Sequence, residues 1–160
     1  MLLRILIAGA GRVGLELAKA LVGEDKQVAV IDNDARAIKM AQGVDALVVH
    51  GDTCQRAILK EAGINEAGVF VAATNSDEKN IIACALARHT HEKESEKGSP
   101  RLLTICRVRD PKYLREGREG NLRSWAGVDK VIHPVDGSVR RLKTGLKMTC
   151  FDEVIPYGDG

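Results

Sequence analysis

The chain has 160 residues, a formal net charge of +2, 44% hydrophobic and 29% charged residues. That is one ordinary domain, long enough to bury roughly 70% of its unfolded surface without disulfide or metal staples. No apolar run approaches the roughly 20 residues that span a bilayer, and the hydrophobic share is that of a globular chain, which argues against membrane insertion and against disorder. Met1 leads straight into a strand-like Leu2-Leu3-Arg4-Ile5 with no charged n-region, so a cytoplasmic, unexported protein is expected.

Val- and Ile-rich segments alternate with stretches of helical period, the mark of βαβ units and a parallel sheet covered on both faces. Leu3 to Ala8 is the first expected strand. It enters Gly9-Ala10-Gly11-Arg12-Val13-Gly14, after which Val13, Leu17, Ala18 and Leu21 recur at helical spacing until Gly23. In such a loop Gly9 makes the tight turn, Gly11 lets a pyrophosphate approach the backbone, Gly14 lets helix pack on strand, and the helix amides face the phosphate. Arg12 either reaches a terminal phosphate, in its own subunit or a neighbour's, or points into solvent. The second strand, Gln27 to Asp32, ends in an acid about 20 residues further on, where a dinucleotide fingerprint needs a carboxylate for the ribose hydroxyls. Asp32 would repel a 2′-phosphate, so NAD-type or adenine nucleotides are expected over NADP; Arg36 would serve the opposite case.

Asn33 or Asp34 caps a helix near Ala35 to Ala41, Ala46 to His50 is the third strand, and Gly51-Asp52-Thr53 turns into a helix around Cys54 to Glu61. The fourth strand, Gly68 to Thr74, is followed by Ser76, a plain helix cap, and by a helix from Asp77 to His89. Thr74, Asn75, Asp77 and Asn80 thus cluster at the carboxyl edge of the sheet, where doubly wound folds bind ligands, although Asp77 also reads as an ordinary helix-start residue. "HTHEKESEKGSP", His89 to Pro100, is charged and poor in apolar residues and is expected to be a fraying helix end and exposed loop. His89 and His91 lack companions for a metal site, so no metal is expected. Leu102 to Val108 is the fifth strand, Pro111 to Trp125 a basic helical stretch interrupted by Gly117 and Gly120, and Val131-Ile132 a short sixth strand. Val135 to Lys147 reads as a last helix and "CFDEVIPYG" as extended chain.

Cys54, Cys84, Cys106 and Cys150 form no close pairs of the zinc or redox kind, so buried reduced thiols are expected. From Arg101 to Lys147 basic residues outnumber acidic ones by 12 to 5. With few aromatics for base stacking and no room for a helix-turn-helix, that bias reads as a solvated face or a dimer contact rather than a nucleic-acid surface.

Five stretches give the chain a family likeness: "IAGAGRVG", "VIDND" at Val30 to Asp34, "GDTC" at Gly51 to Cys54, "EAGINEAGVFVAATNSDEKNIIACALAR" at Glu61 to Arg88, and "CRVRDPKY" through "GVDKVIHP". Over roughly residues 1 to 135 it resembles the N-terminal nucleotide-binding domain of the Trk/Ktr potassium-uptake regulators, the RCK or KTN (TrkA-N) domain. The long middle block is the specific part. The resemblance implies an α/β fold, a Rossmann-type doubly wound parallel sheet in a single domain over residues 1–134, that binds NAD(H), ATP or ADP. Residues 135–160 would be a C-terminal helical or extended extension, either a dimer-hinge helix or the start of a second domain. It further implies a homodimer or higher ring, peripheral to the inner face of the cell membrane, acting on an integral-membrane potassium channel or transporter. Carried over by position, Gly9, Ala10, Gly11, Arg12, Val13 and Gly14 hold phosphate, Asp32 and Asn33 the ribose, and Asp52 and Thr53 the adenine edge. Ala73, Thr74, Asn75, Asp77 and Asn80 form the far rim, and Arg107 is a further ligand or interface residue. A regulator rather than an enzyme is expected, since no His-Asp pair, Tyr-x-x-x-Lys or catalytic Cys follows the later strands. The alternative is a small NAD-dependent oxidoreductase or its cofactor half, for which His50 and His133 are the strand-end candidates.

Overall fold

A computed structural model of the chain describes residues 3–133. The Val135 to Lys147 helix, the extended stretch after it and the whole 135–160 extension lie outside the described residues. Six parallel strands form one sheet: β1 (Arg4–Ala8), β2 (Gln27–Asp32), β3 (Leu47–His50), β4 (Ala67–Ala72), β5 (Leu103–Arg107) and β6 (Lys130–Ile132), in the order β3-β2-β1-β4-β5-β6. The connections are α1 (Arg12–Val22), α2 (Ala35–Ala41), α3 (Arg56–Glu61) with a 3-10 turn at Ile64–Glu66, α4 (Asp77–Glu94), and the pair α5 (Pro111–Arg118) and α6 (Asn121–Ala126). This is the doubly wound Rossmann-type sheet that the alternating pattern predicts.

Successive side chains of a strand point to opposite faces, and here both faces are covered. Ile5 and Ile7 pack with Leu17, Ala18 and Leu21 of α1, while Leu6 and Ala8 pack with Phe70, Ala83, Cys84 and Ala87 on the α4 side. An unbroken apolar β1 follows directly. The chain runs β1, β2, β3 outward and then returns to β4 beside β1, so the strand order reverses between β1 and β4. A crevice opens beyond the carboxyl ends of the strands at such a reversal.

Two expectations change. The helix expected to fray from His89 continues to Glu94, and Arg88, Thr90 and His91 are buried. Tertiary contacts override the local charge: Lys60 Nζ meets Glu94 Oε1 at 2.9 Å, and Ser95 Oγ donates to the Asn65 carbonyl at 2.9 Å, tying the helix end to α3 and the 3-10 turn. The second change concerns the basic stretch from Pro111 to Trp125. It breaks only at Gly120, which takes a left-handed φ of 79°, whereas Gly117 lies inside α5 and lets that helix rest on Val131. A Cβ on Gly117 would stand 2.5 Å from Val131 Cγ2. Of the described cysteines, Cys84 and Cys106 are buried, Cys54 is half-buried, and all three are free thiols; Cys150 lies outside the described residues.

Candidate functional site

The cleft begins with the β1–α1 loop. Gly9 adopts φ 107°, which L side chains rarely take, and its N–H donates to the Ile31 carbonyl at 2.7 Å. A Cβ on Gly14 would fall 1.8 Å from the Gly9 carbonyl oxygen, so glycine is what lets the first turn of α1 close on the loop. Gly11 is different: its backbone is extended, which any residue adopts, and a Cβ there would meet nothing within 4 Å. Glycine at 11 is not needed by the fold; it leaves the approach to α1 open. No side chain caps that helix N-terminus. Its first-turn amides therefore face the cleft with the partial positive charge of the helix dipole.

Asp32, the last residue of β2, is held in place by that same loop. Its Oδ2 accepts from the Ala10 N–H at 2.7 Å and its Oδ1 from the Asp34 N–H at 2.8 Å. Each carboxylate oxygen keeps a lone pair for a further donor. Asp34, not Asn33, caps α2, accepting from the amides of Arg36 and Ala37, and these bonds hold its carboxyl below the usual range.

The cleft encloses about 1060 Å³ between this loop, the β2–α2 turn, Gly51 and Thr53 after β3, the β4–α4 loop, and the end of β5. Of the predicted residues, Gly9, Gly11, Arg12 and Val13 line its floor and Asp32 and Asn33 one wall. Thr53, Ala73, Thr74, Asn75 and Arg107 line the other side. Ala10, Gly14, Asp52, Asp77 and Asn80 do not line it, and each is engaged with backbone or packed within the loop. Asp52 accepts from the Cys54 N–H at 2.9 Å and meets Lys79 Nζ at 3.4 Å; mainly the amide bond lowers its pKa. Asp77 accepts from the Arg109 and Asp110 amides, fastening the loop after β5. Asn80 is fully buried beneath the rim. Sequence reasoning missed Lys79 and Arg109, which also line the cleft. Arg109 had a signal, the Arg-Val-Arg alternation at a strand's carboxyl end.

Among the described residues two buried side-chain polar atoms, both of cleft residues, have no N or O hydrogen-bond partner: Arg107 Nε and Thr53 Oγ1, the latter with only the Cys54 thiol beside it. Arg107 is 8% exposed, and among the described residues no carboxylate forms an ion pair with it. Its Nη1 reaches only the Thr74 carbonyl at 3.4 Å and Asn75 Oδ1 at 3.5 Å. Burial, and then the neighbouring Arg109 charge, pull its pKa below the ordinary value, with the Asp77 carboxylate opposing them. Unsatisfied buried polar atoms are rare in folded chains and costly, and both of these belong to residues that line one cavity. The lining carries five cations (Arg12, Arg36, Lys79, Arg107, Arg109) against three acids (Glu16, Asp32, Asp34). An anionic ligand with a polar edge for Thr53 fits this donor set.

Among the described residues no three His, Cys, Asp or Glu side chains gather as a metal site needs. His50 Nε2 bonds the Asn33 carbonyl at 3.0 Å, joining the ends of β2 and β3.

Fold and cleft together place the chain in the class of Rossmann-type domains built to hold a ligand at the strand-order reversal. Within that class it belongs to the TrkA-N domain family, whose profile matches residues 5–134. The chain is 35% identical over 160 residues to a "Trk system potassium uptake protein TrkA homolog" of Pyrococcus abyssi, covering 98% of this chain and 65% of that protein. It is 37% identical over 134 residues to the Vibrio alginolyticus "Trk system potassium uptake protein TrkA", where it spans 82% of this chain and 27% of that one. It therefore spans less than two thirds of the length of these relatives. Solved structures share the fold at lower identity. The TrkA-N domain of inner membrane protein ybaL from Escherichia coli superposes with a TM-score of 0.66 at 19% identity, covering 93% of this chain and 98% of that one. The GsuK channel bound to NAD gives 0.62 at 20%, covering 82% and 21%. A short chain dehydrogenase/reductase family protein of Aeromonas hydrophila gives 0.59 at 14%, covering 91% of each chain. No helix of the described residues is long and apolar enough to cross a membrane.

Proposed function

We propose that the chain is the nucleotide-binding part of a regulatory subunit of a potassium transport system. It takes NAD(H) or ATP/ADP in the cleft and passes the ligand state to an integral-membrane potassium channel or transporter. The family and the names of its relatives support the system; the buried Arg107 of the cleft lining, whose Nε has no hydrogen-bond partner among the described residues, is the observation that carries the ligand. In this reading the α1 amides and Gly11 receive phosphate. The free lone pairs of Asp32 accept the ribose hydroxyls, and Thr53 meets the base. Arg107, Arg109 and Arg12 meet the remaining phosphate charge. Arg12 is free to do so, since its side chain is 90% exposed and its contact with Glu16, at 3.8 Å along the helix, is weak. The subunit works as a homodimer or larger ring at the inner face of the membrane.

Regulation requires that two ligands bind two conformations with different affinity, because equal affinity shifts nothing. The cationic rim supplies such a difference, since it responds to the number and position of phosphates. An oxidoreductase is the second reading, and the cleft supports it less. Among the described residues its lining has no His, Tyr or Cys to act as a general acid or base near neutral pH.

A thermal shift series with NAD, NADH, ATP and ADP tests the reading. A ligand at 100 times its Kd raises stability by roughly 2.7 kcal/mol. No shift with any of the four sinks the nucleotide reading, and turnover of NADH with simple carbonyl compounds moves the assignment to the enzyme.

A further inference from the structure

Asn80 lies in the first turn of α4 with no exposed surface. Its side chain makes every hydrogen bond an Asn carboxamide readily makes, two accepted and two donated. Oδ1 accepts from the Thr74 N–H at 2.9 Å and from Thr74 Oγ1 at 2.6 Å. Nδ2 donates to the Thr74 carbonyl at 3.1 Å and to the Arg107 carbonyl at 2.9 Å. The orientation of the amide is dictated by its surroundings, because the flipped group would set its oxygen against two carbonyls.

These bonds stand where the sheet gives out. The pairing of β4 with β5 ends at Ala72 opposite Cys106. Beyond it, Thr74 and Arg107 have no ladder partner in each other, and the Asn80 carboxamide spans the gap. The same Thr74 carbonyl also takes Arg107 Nη1. Asn80 thus holds both the backbone from which the Arg107 side chain departs and the carbonyl on which its guanidinium rests.

We infer that Asn80 is a positioning residue for phosphate recognition: it touches no ligand and acts by setting Arg107, an unpaired cation, toward the cleft before a nucleotide arrives. The inference rests on the nucleotide reading above. An arginine whose place is set in advance loses less conformational freedom on binding, and that difference appears as affinity.

The test is calorimetric titration of the full 160-residue chain with ADP and, separately, with adenosine, in the native protein, Asn80→Ser, Arg107→Met and the double variant. Expected is a loss of ADP affinity of roughly tenfold in Asn80→Ser, with adenosine affinity kept within about twofold. In the Arg107→Met background, Asn80→Ser changes ADP affinity no further, since the two act as a unit. A merely structural Asn80 lowers the melting temperature and leaves the ratio of ADP to adenosine affinity as it was. That result overturns the inference, as do losses that multiply in the double variant. If Asn80→Ser loses its cooperative melt, exchange of the Asn80 side-chain amide protons in the native chain decides. Protection before ADP is added supports a preformed clamp, and protection only after ADP means direct contact and refutes it. Native protein that binds no ADP ends the nucleotide reading and this inference together; native binding with an unaltered Asn80→Ser ends this inference alone.

Discussion

Two arginines of this domain are equally buried and oppositely placed. Arg88, 9% exposed, reaches from α4 to the carbonyls of Gly127 and Leu102, the Thr104 hydroxyl and the Asp129 carboxylate. Arg107, 8% exposed, has an Nε with no partner among the described residues, and the charge that favours it, the Asp77 carboxylate, acts without forming an ion pair. Asp129 is the hub of the first group, also accepting from the Thr104 N–H at 2.9 Å and from Arg101 Nη2 at 2.9 Å, with Arg123 Nε at 3.6 Å. The saturated cluster fastens β5, α6 and the entry to β6. The unsatisfied one opens on the cleft. Burial alone therefore does not separate a structural cation from a binding one; the completeness of its bonding does.

The largest test of that contrast removes one partner from each side. Asp129→Ala leaves Arg88 charged and buried, and breaking a buried pair in this way costs about 3 to 5 kcal/mol. Arg107→Met removes a buried charge that no ion pair among the described residues compensates and that only the Asp77 carboxylate favours from a distance, so the free chain keeps or gains melting temperature while its affinity for ADP falls. Urea melts of both variants beside ADP titrations check this. If Arg107→Met is as destabilising as Asp129→Ala, Arg107 belongs to the scaffold.

The glycine loop holds the same contrast on a smaller scale. Gly14→Ala forces a methyl to within 1.8 Å of the Gly9 carbonyl unless the loop moves, and overpacking of this kind costs about 1 to 3 kcal/mol. Gly11→Ala meets open space, so it leaves stability nearly unchanged and hinders only the approach of phosphate to the α1 amides. Melting temperature and nucleotide affinity should move separately in the two variants, stability first in Gly14→Ala and affinity alone in Gly11→Ala. A Gly11→Ala chain with native affinity would take the phosphate away from this helix end.

What could be read from the sequence was what short range determines. The strand, glycine loop and helix over residues 3–21, and Asp32 at the end of the next strand, follow from period, turn chemistry and spacing. The Asn80 bond to Arg107 spans 27 residues of chain and the Arg88 pair with Asp129 spans 41, and no local pattern announces either. The sequence assigns Asn80 to the ligand-binding far rim, whereas the residue is buried and does not line the cleft, and nothing in its neighbours says that it faces inward. The exposed loop expected up to Pro100 is present from Ser95 on, but the same limit affects His89 to Glu94, which is helix rather than a frayed end. Its charges describe solvent preference, while Thr90 and His91 are buried because the turn at Ile64–Glu66 and the start of β4 come up against them.

His91 offers the smallest and most specific test of the saturated side. The ring is buried against β4, and that burial pulls its pKa below 6.5, with Arg88 adding to the pull; a hydrogen bond with the Ala67 backbone and the Glu92 charge oppose it. Above pH 6.5 the ring is neutral in both states and its contribution to stability is fully present. As pH falls below 6.5 the unfolded chain takes up a proton that the folded site resists, so stability declines until the pH has passed the lowered folded value. Asp34 and Asp52, whose pKa values lie below the ordinary 3.8, change protonation only at more acidic pH and leave this interval clear. His91→Gln keeps a hydrogen-bonding side chain with no proton to gain, so its melting temperature should fall less than that of the native chain between pH 7 and pH 5. Equal declines in the two proteins would mean that the α4 end opens in solution and that its burial contributes nothing to holding the scaffold on which the cleft is built.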